Sequence, residues 1–228
     1  MTADFSTVTE MPGNLVTSEA IEMLVTRYSL AGRYCRDRDV LEVGCGPGQG
    51  LGYLARDARR VIGGDYSDTI VQAAQRHYQG RVDVLRLDAH ALPFAEDTFD
   101  TAIMYEAIYY LSDVERFLAE CSRVLRKPGT LLVCTANRDW SDFNPSPSSM
   151  AYYSAPELST MLARYGFRPE LFGGFPVTTD SYSRKVVSLI KRTAVSLNLI
   201  PGSMKGKELL KRIFYGKLTP FPAELDGE

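Results

Sequence analysis

The sequence lacks the features of a secreted, membrane-spanning or metal-binding chain. Its four cysteines form no C-x-x-C pair, so neither a disulfide framework nor a zinc site is expected. No run reaches the roughly 18 apolar residues of a membrane-spanning helix, and residues 1–14 lack the basic flank and apolar stretch of a signal peptide. These absences predict a cytoplasmic protein that holds no metal.

The sequence also has little net charge. Lys and Arg total 26 against 28 for Asp and Glu, and the net charge of −2 gives no global reason to expect nucleic acid or an anionic membrane as a partner. The 228 residues, of which 45% are hydrophobic and 24% charged, are typical of one globular domain with a single core. Composition leaves the oligomeric state open.

Between Asp39 and Thr135, short apolar runs alternate with amphipathic segments, which is typical of a parallel sheet flanked by helices. The runs are rich in Val, Leu and Ile, as strands buried on both faces should be. The pattern predicts an α/β fold, a Rossmann-like, doubly wound, mostly parallel sheet with helices on both faces and a helical C-terminal addition. The predicted strands are Val40–Val43, Val61–Gly63, Val82–Leu87, Thr101–Met104 and Leu131–Cys134.

Two helices are marked by their start signals. Apolar residues recur at helical spacing over Asp113–Leu125, and Ser112 with Glu115 predicts a capping box at its start. A second capping box, formed by Ser154 and Glu157, predicts another helix later in the chain. A Gly at position 166 would close that helix.

The C-terminal third is harder to interpret. Phe167–Phe172 predicts a sixth strand, Ser183–Leu197 and Lys205–Tyr215 predict two basic amphipathic helices, and no clear seventh strand follows. We therefore divide the chain into an N-terminal helical cap (1–38), which contains a helix over Ser18–Ala31, a sheet core (39–175) and a basic helical extension (176–228). The extension is expected to cap an acceptor site within the same domain.

The extension carries a local excess of positive charge. Between Arg184 and Lys217 there are nine basic residues and one acidic residue, Glu208. Two interpretations remain open: a solvated face over an apolar one, or a charged surface that recruits an anionic acceptor or makes peripheral contact with an anionic membrane. Nucleic acid is not expected, because aromatic residues do not interleave with the charges.

A glycine-rich turn follows the first predicted strand of the sheet, in the sequence E-V-G-C-G-P-G-Q-G over 42–50. Glycine allows positive φ and close approach of a ligand, and the helix that follows offers unpaired N–H groups. The turn lacks the third glycine of the dinucleotide pattern G-x-G-x-x-G, because Gln49 or Leu51 stands there. The turn thus predicts a nucleotide-like ligand without favouring a pyrophosphate.

The pattern acid-x-G-x-G-x-G at Glu42, Gly44, Gly46 and Gly48 resembles the class I S-adenosylmethionine-dependent methyltransferases. The resemblance covers about Val40–Val133 and is nearest to the small-molecule branch that includes the quinone-biosynthesis methyltransferases. Further motifs of that family follow in order along the chain. They are Asp65 after the second strand, Asp88-Ala89 after the third, Leu92-Pro93-Phe94 and Phe99-Asp100.

The resemblance implies S-adenosylmethionine as cofactor, S-adenosylhomocysteine as product and a small-molecule acceptor of the methyl group. It implies that Asp65 binds both ribose hydroxyls and Asp88 the adenine amino group, while Arg27 either pairs with the methionine carboxylate or is an ordinary surface arginine. The cofactor-binding residues expected on this basis are Arg27, Tyr28, Glu42, Gly44, Cys45, Gly46, Gly48, Gln49, Asp65, Tyr66, Ser67, Asp88, Ala89, His90, Tyr105 and Glu106.

The acceptor and the catalytic residues are not identified by any motif. The aromatic residues that follow the fourth and fifth strands are candidates for an acceptor pocket, with core packing as the alternative. They are Tyr109, Tyr110, Tyr152, Tyr153 and Trp140. Methyl transfer needs alignment first, and a base only where the acceptor must lose a proton. Glu106, His90 or a tyrosine are all candidates for that base, and oxygen, nitrogen and carbon acceptors stay open.

Two other functions compete with methyl transfer. A protein that binds the cofactor and regulates a partner without catalysis would keep the same binding residues. A nicotinamide oxidoreductase would share the strand–glycine turn–helix arrangement. Stabilisation by adenosylhomocysteine or by NADH separates the last of these from the first two.

Overall fold

The computed structural model describes residues 9–140, 143–146, 148–173 and 218–225. A short 3-10 helix, Ile108–Tyr110, follows the fourth strand of the main sheet. In chain order the other elements are β1 (Leu15–Val16), α1 (Ser18–Cys35), β2 (Asp39–Val43), α2 (Leu51–Ala55), β3 (Arg60–Asp65), α3 (Asp68–Tyr78), β4 (Asp83–Arg86), β5 (Phe99–Tyr105), α4 (Val114–Val124), β6 (Leu125–Cys134), α5 (Ala155–Arg164) and β7 (Thr219–Pro220).

The main sheet has five parallel strands in the order β4-β3-β2-β5-β6, which confirms the predicted fold class. In the central strand β2, Leu41 lies between Ile62 of β3 and Ala102 of β5. All five residues of β2 are buried, because helices cover both faces of the sheet. Since the strands are parallel, the loops at their carboxyl ends meet at one edge.

Each face of the sheet packs against a different set of helices. Phe117 and Leu118 of α4 pack on one face with Phe99 and Met104. On the other face, Tyr28 of α1 and Tyr78 of α3 share a cluster with Leu51 and Val40. The second cluster also contains Cys45, so α1 lies beside the glycine-rich turn that follows β2.

The two predicted capping boxes have different outcomes. At α5, the Ser154 hydroxyl accepts a hydrogen bond from the Glu157 N–H, and Glu157 accepts one from the Ser154 N–H, which confirms the box. At α4 the prediction of Ser112 was wrong, because the Asp113 carboxylate accepts from the Arg116 N–H at 3.0 Å. The side chain one residue later therefore caps the helix.

The sixth strand predicted over Phe167–Phe172 was wrong, since these residues form no strand. Pro169 offers no N–H to a ladder, and the segment is mostly exposed. By contrast β6 begins at Leu125, six residues before the predicted start, and Arg126 pairs with Asp39 and Asp100 at 2.9 and 3.0 Å. The helix before it therefore ends at Val124, and Arg126 joins ion pairs at the amino ends of the strands.

The predicted basic helices, Ser183–Leu197 and Lys205–Tyr215, lie outside the described residues. The division into 1–38, 39–175 and 176–228, the cytoplasmic location and the peripheral membrane contact stay predictions. α1 is four residues longer than the predicted Ser18–Ala31. Among the helices that the structure describes, none combines the length and apolarity needed to span a bilayer.

Candidate functional site

The glycine-rich turn after β2 has the backbone conformation that its sequence predicts. Gly44, Gly46 and Gly48 have φ of +74°, +58° and +91°, a region that other residues rarely occupy. A Cβ added to Gly44 would lie 2.7 Å from Ala107, and one added to Gly48 would lie 2.8 Å from Tyr78. At Gly46 it would meet nothing closer than 3.7 Å. Gly44 and Gly48 are therefore needed for close packing, whereas Gly46 has only Thr9 and Gln49 side-chain atoms nearby, at contact distance.

Asp65, the last residue of β3, lies against the glycine-rich turn. Its Oδ2 accepts from the Gly46 N–H at 3.1 Å, and its Oδ1 accepts from the Ser67 N–H at 3.0 Å. Burial raises the pKa of Asp65, while these N–H groups oppose the shift. The structure thus brings together the carboxylate and the glycine that the sequence places 19 residues apart.

Glu42 is the most buried acidic residue of the site, with 1% of its surface exposed. Its Oε1 accepts from the Tyr28 hydroxyl at 2.5 Å, and its buried Oε2 has no hydrogen-bond partner. Burial raises the pKa of Glu42 to about 8, the negative charge of Asp65 adds to the shift, and the Tyr28 hydrogen bond opposes it. At neutral pH this carboxyl is mostly protonated.

An ion pair joins α1 to the end of β5. The Arg27 guanidinium lies 2.8 Å from Glu106 Oε1, and the Tyr109 hydroxyl donates to Glu106 Oε2 at 3.2 Å. Glu106 has a positive φ of 51°, which is strained for a residue with a Cβ. The Arg27 Nε is buried without a hydrogen-bond partner, and the Tyr105 hydroxyl donates to the Arg27 carbonyl at 3.2 Å. Arg27 is therefore not an ordinary surface arginine.

Asp88 and His90 form a compact turn after β4. Asp88 Oδ1 accepts from the His90 N–H at 2.9 Å and lies 2.7 Å from His90 Nδ1. His90 Nε2 accepts from the Asp113 N–H at 3.3 Å, which assigns the ring proton to Nδ1. Both ring nitrogens are therefore occupied, which argues against His90 as a base. Ala89, between them, is buried.

The remaining predicted cofactor residues surround the same turn. Cys45 is buried, and burial raises the pKa of its thiol well above the ordinary value, so it packs and is not a nucleophile. Gln49 is 6% exposed, and Ser67 is also buried. Tyr66 is half exposed, and the Arg86 guanidinium lies 5.6 Å from the centre of its ring.

The acceptor candidates separate into two groups. The Tyr109 ring lies 4.6 Å from the rings of both Tyr110 and Tyr152, and Tyr152 lies 4.7 Å from Phe143. We call these four residues the aromatic cluster. Trp140 is 52% exposed and makes no ring contact with the described aromatic residues. Phe143 was missed from the sequence, because an isolated aromatic residue in an irregular loop carries no pattern.

A concavity of about 260 Å³ lies at the amino ends of β3 and β4, away from the glycine-rich turn. Its lining includes Arg59, Arg60 and Arg81, but these guanidinium groups are already paired with carboxylates. It therefore offers no free positive charge to a ligand. Among the described residues, no group of three or more His, Cys, Asp or Glu is arranged to hold a metal ion.

Comparison with known proteins agrees with this geometry. Residues 41–133 match the family model described as a methyltransferase domain. A probable S-adenosylmethionine-dependent methyltransferase of Mycobacterium tuberculosis is 38% identical over 139 residues, which cover 58% of this chain and 50% of that protein. A ubiquinone biosynthesis O-methyltransferase of Rhizobium johnstonii is 30% identical over 162 residues, 70% of this chain and 63% of that one.

Solved structures show the same fold. The YcgJ protein from Bacillus subtilis superposes with a TM-score of 0.62 at 22% identity, over 81% of this chain and 88% of that one. The chain spans about half the length of the mycobacterial relatives that it matches. The matched residues contain the glycine-rich turn, Asp65, Asp88 and Glu106. Residues 41–133 are therefore a methyltransferase domain, and the relatives that match it are named as S-adenosylmethionine-dependent, which gives S-adenosylmethionine as the cofactor.

Proposed function

We propose that this protein binds S-adenosylmethionine at the turn after β2 and transfers its methyl group to a small-molecule acceptor. The observation that carries the proposal is the Asp65 carboxylate hydrogen-bonded to Gly46, the glycine of the turn beside which an added Cβ would meet no atom closer than 3.7 Å. A bare backbone beside a buried carboxylate suits a ligand with a flat ring and a hydroxylated sugar.

The residues present fit that cofactor. A carboxylate offers about four lone-pair positions, so Asp65 retains its bonds to Gly46 and Ser67 while it accepts from two ribose hydroxyls. Both His90 contacts use Oδ1 of Asp88, so Oδ2 is the oxygen proposed to accept from the adenine amino group. The buried, unpartnered Glu42 Oε2 leaves a polar atom that a polar group of the ligand could satisfy.

The methionine end is proposed to lie beside α1. There the Arg27 guanidinium would pair with the ligand carboxylate, as its unpartnered buried Nε suggests. Its present partner Glu106 would then be left beside the ligand's ammonium group. Tyr28 and Tyr105, whose rings meet edge to face at 5.5 Å, close the same region.

When bound, S-adenosylmethionine supplies an activated methyl group on a sulfonium sulfur. The chain's task is alignment and exclusion of water, and holding two reactants in a near-attack geometry lowers a barrier by roughly 7–11 kcal/mol in favourable cases. Where the acceptor must lose a proton, Glu106 is the base we propose. A carboxylate oxygen has two lone pairs, so Glu106 Oε2 can take a proton while it accepts from the Tyr109 hydroxyl, whereas the single acceptor nitrogen of His90 is used by the Asp113 N–H.

The first experiment tests the ligand. Thermal unfolding is measured with S-adenosylhomocysteine and with NADH, because a ligand that binds only the native state raises the melting temperature. We expect a concentration-dependent rise with S-adenosylhomocysteine and none with NADH. A rise with NADH alone would replace the methyltransferase proposal with an oxidoreductase.

The second experiment tests the acceptor. The protein is incubated with S-adenosylmethionine labelled in its methyl group and a metabolite extract, and labelled products are identified by mass spectrometry. We expect one labelled small molecule. Binding of the cofactor without any labelled product in such extracts would favour a regulatory protein that does not catalyse methyl transfer.

An anionic acceptor is supported only by the nine basic residues between Arg184 and Lys217. If their charge recruits the acceptor, replacing Lys191, Arg192, Lys211 and Arg212 with Gln raises its KM at low salt, and the difference disappears at high salt. Kinetics equal to wild type at every salt concentration would assign these cations no part in acceptor binding.

A further inference from the structure

Two segments far apart in sequence lie together beside the cofactor site. β1 and β7 pair antiparallel, with Leu15 opposite Pro220 and Val16 opposite Thr219. The pairing continues in bonds from the Gly13 N–H to the Phe221 carbonyl and from the Phe221 N–H to the Asn14 carbonyl. We call residues 9–16 and 218–225 together the terminal clasp. Val16, Phe221 and Leu225 are buried, so the clasp packs on the domain.

The terminal clasp holds Gln49 of the glycine-rich turn. The Leu225 N–H donates to the Gln49 carbonyl at 2.8 Å, and the Gln49 side-chain amide donates to the Glu10 carbonyl at 3.1 Å. Thr9 is the nearest neighbour of the space beside Gly46, at 3.7 Å from the position of an added Cβ. Both segments of the clasp therefore reach the turn that is proposed to bind the cofactor.

Glu224 anchors the clasp to the end of α3 and to the loop that follows it. Its Oε2 lies 2.7 Å from His77 Nε2 and 2.8 Å from the Arg81 guanidinium. The hydrogen bond from Arg81 lowers the pKa of Glu224, and His77 adds to the effect against partial burial. Gly52 leaves the space for this carboxylate, because an added Cβ there would overlap it. Leu225, which donates to Gln49, is the next residue along the chain.

We propose that Glu224 is a positioning residue for the cofactor site. Its ion pairs with His77 and Arg81 fix Leu225, and the Leu225 N–H in turn holds the backbone of the turn at Gln49, three residues from Gly46. A turn held in its binding conformation before the ligand arrives loses less entropy when the ligand binds. The effect on cofactor affinity rests on the proposed function, whereas the effect on the turn itself does not.

The test compares Glu224→Ala and the milder Glu224→Gln with wild type and with Glu115→Ala. Glu115 is a matched control, because its carboxylate also pairs with an arginine, Arg164, at 2.8 Å. Amide hydrogen exchange over residues 44–50 is measured without cofactor, and affinity for S-adenosylhomocysteine is measured by calorimetry. We expect exchange in the turn to rise about tenfold in Glu224→Ala and affinity to fall about fivefold, with smaller changes in Glu224→Gln.

Each outcome decides something. Exchange at 44–50 equal to wild type in Glu224→Ala would overturn the proposal, and so would a rise spread equally over β2 and β5, because that rise would report general destabilisation. A rise confined to the turn in Glu224→Ala, absent in Glu115→Ala, supports it. If exchange rises in the turn in this way but neither the wild type nor Glu224→Ala binds S-adenosylhomocysteine, the cofactor proposal fails. The positioning of the turn by Glu224 then still stands.

Discussion

The proposed cofactor side and the proposed acceptor side of this site are built in different ways. On the cofactor side, backbone N–H groups and one carboxylate converge where β2 and β3 end, with the glycines in the turn after β2 and Asp65 as the last residue of β3. On the acceptor side, four aromatic rings meet on the segment after β5 and on an irregular loop beyond β6. A backbone site needs particular residues at particular spacings, while a side-chain pocket accepts many sequences.

This difference explains why the sequence identifies the cofactor and leaves the acceptor open. The family model covers residues 41–133, which end before Phe143 and Tyr152. The acceptor side thus lies partly outside the residues that the family model covers. Substitutions on the two sides should therefore separate cofactor affinity from acceptor selectivity, and the predictions below test this separation.

The largest expected effect is that of Gly46→Val on cofactor binding. A β-branched side chain resists the φ of +58° and would occupy the space in which the cofactor is proposed to bind. We expect the affinity for S-adenosylhomocysteine, measured by calorimetry, to fall by about a hundredfold or more, equivalent to roughly 2.7 kcal/mol.

Gly80→Val is the matched control for that change. Gly80 also has a positive φ, of 85°, and nothing within 4 Å of an added Cβ, but it lies between α3 and β4. Both variants should lose stability from backbone strain, on the order of 1–3 kcal/mol each. Equal affinity for S-adenosylhomocysteine in the two variants would mean that Gly46 is not part of the cofactor site.

Asp65→Ala is expected to weaken S-adenosylhomocysteine binding by about tenfold or more. Hydrogen bonds to a charged acceptor contribute roughly 1.5–3 kcal/mol each, and Asp65 also holds the Gly46 N–H. The control is Asp68→Ala, three residues later, where the carboxylate is 63% exposed and pairs with Arg86. Unchanged calorimetric affinity in Asp65→Ala would contradict the ribose assignment.

Much of the cofactor side was predictable because its signals are local. The buried runs predicted the five strands of the main sheet, and the glycine spacing predicted the turn. What could not be predicted depends on contacts across the fold. Tyr28 reaches Glu42 over 14 residues, and Leu225 reaches Gln49 from near the other end of the chain. Neither distance leaves a pattern in a single sequence.

Local signals also failed at two other places. In one, two neighbouring residues could both fill the N-cap position, and in the other a predicted strand lacked a neighbouring strand to pair with. Ser112 and Asp113 are both good N-cap residues, and only the backbone geometry shows that Asp113 fills the position. Phe167–Phe172 has the apolar residues of a strand, but a strand also needs a neighbour to pair with, and none of the described strands pairs with it. Sequence propensity carries no information about that neighbour.

The pH dependence of stability that Glu42 causes is an effect of intermediate size, and it concerns the cofactor side alone. Its pKa of about 8 in the folded protein exceeds the ordinary value of 4.5. The folded state therefore holds an extra proton between these pH values, so the stability contributed by Glu42 is lost as pH rises through this window. The slope is at most about 1.4 kcal/mol per pH unit. Glu42→Gln, which cannot ionise, should gain in melting temperature relative to wild type between pH 5 and pH 8.

A control with the opposite sign is available. The hydrogen bond from Arg123 holds the pKa of Glu120 below its ordinary value, against partial burial, so its contribution is lost as pH falls. The melting temperature of Glu120→Gln should therefore differ least from that of wild type at acidic pH, where neither protein carries a negative charge at position 120. If the difference in melting temperature between Glu42→Gln and wild type stayed constant from pH 5 to pH 8, Glu42 would already be ionised in the folded protein throughout this range.

The smallest expected effect is on the acceptor side, where Tyr109→Phe removes one hydroxyl and leaves the ring. That hydroxyl donates to Glu106 Oε2, and Glu106 keeps its pair with Arg27, so no buried charge is left alone. We expect the affinity for S-adenosylhomocysteine to change by less than about twofold and the KM for the acceptor to rise by about fivefold, since one hydrogen bond contributes roughly 1 kcal/mol.

The control for Tyr109→Phe is Tyr165→Phe, which removes a hydroxyl 3.5 Å from Glu115 on a residue outside the aromatic cluster. Labelled methyl transfer is followed at saturating S-adenosylmethionine, so that only the acceptor limits the rate. A fivefold loss of S-adenosylhomocysteine affinity in Tyr109→Phe would place this hydroxyl on the cofactor side. Glu106 contacts both Arg27 and Tyr109, so its carboxylate would then couple the cofactor side to the acceptor side. Substitutions on the two sides would in that case not separate cofactor affinity from acceptor selectivity at Glu106.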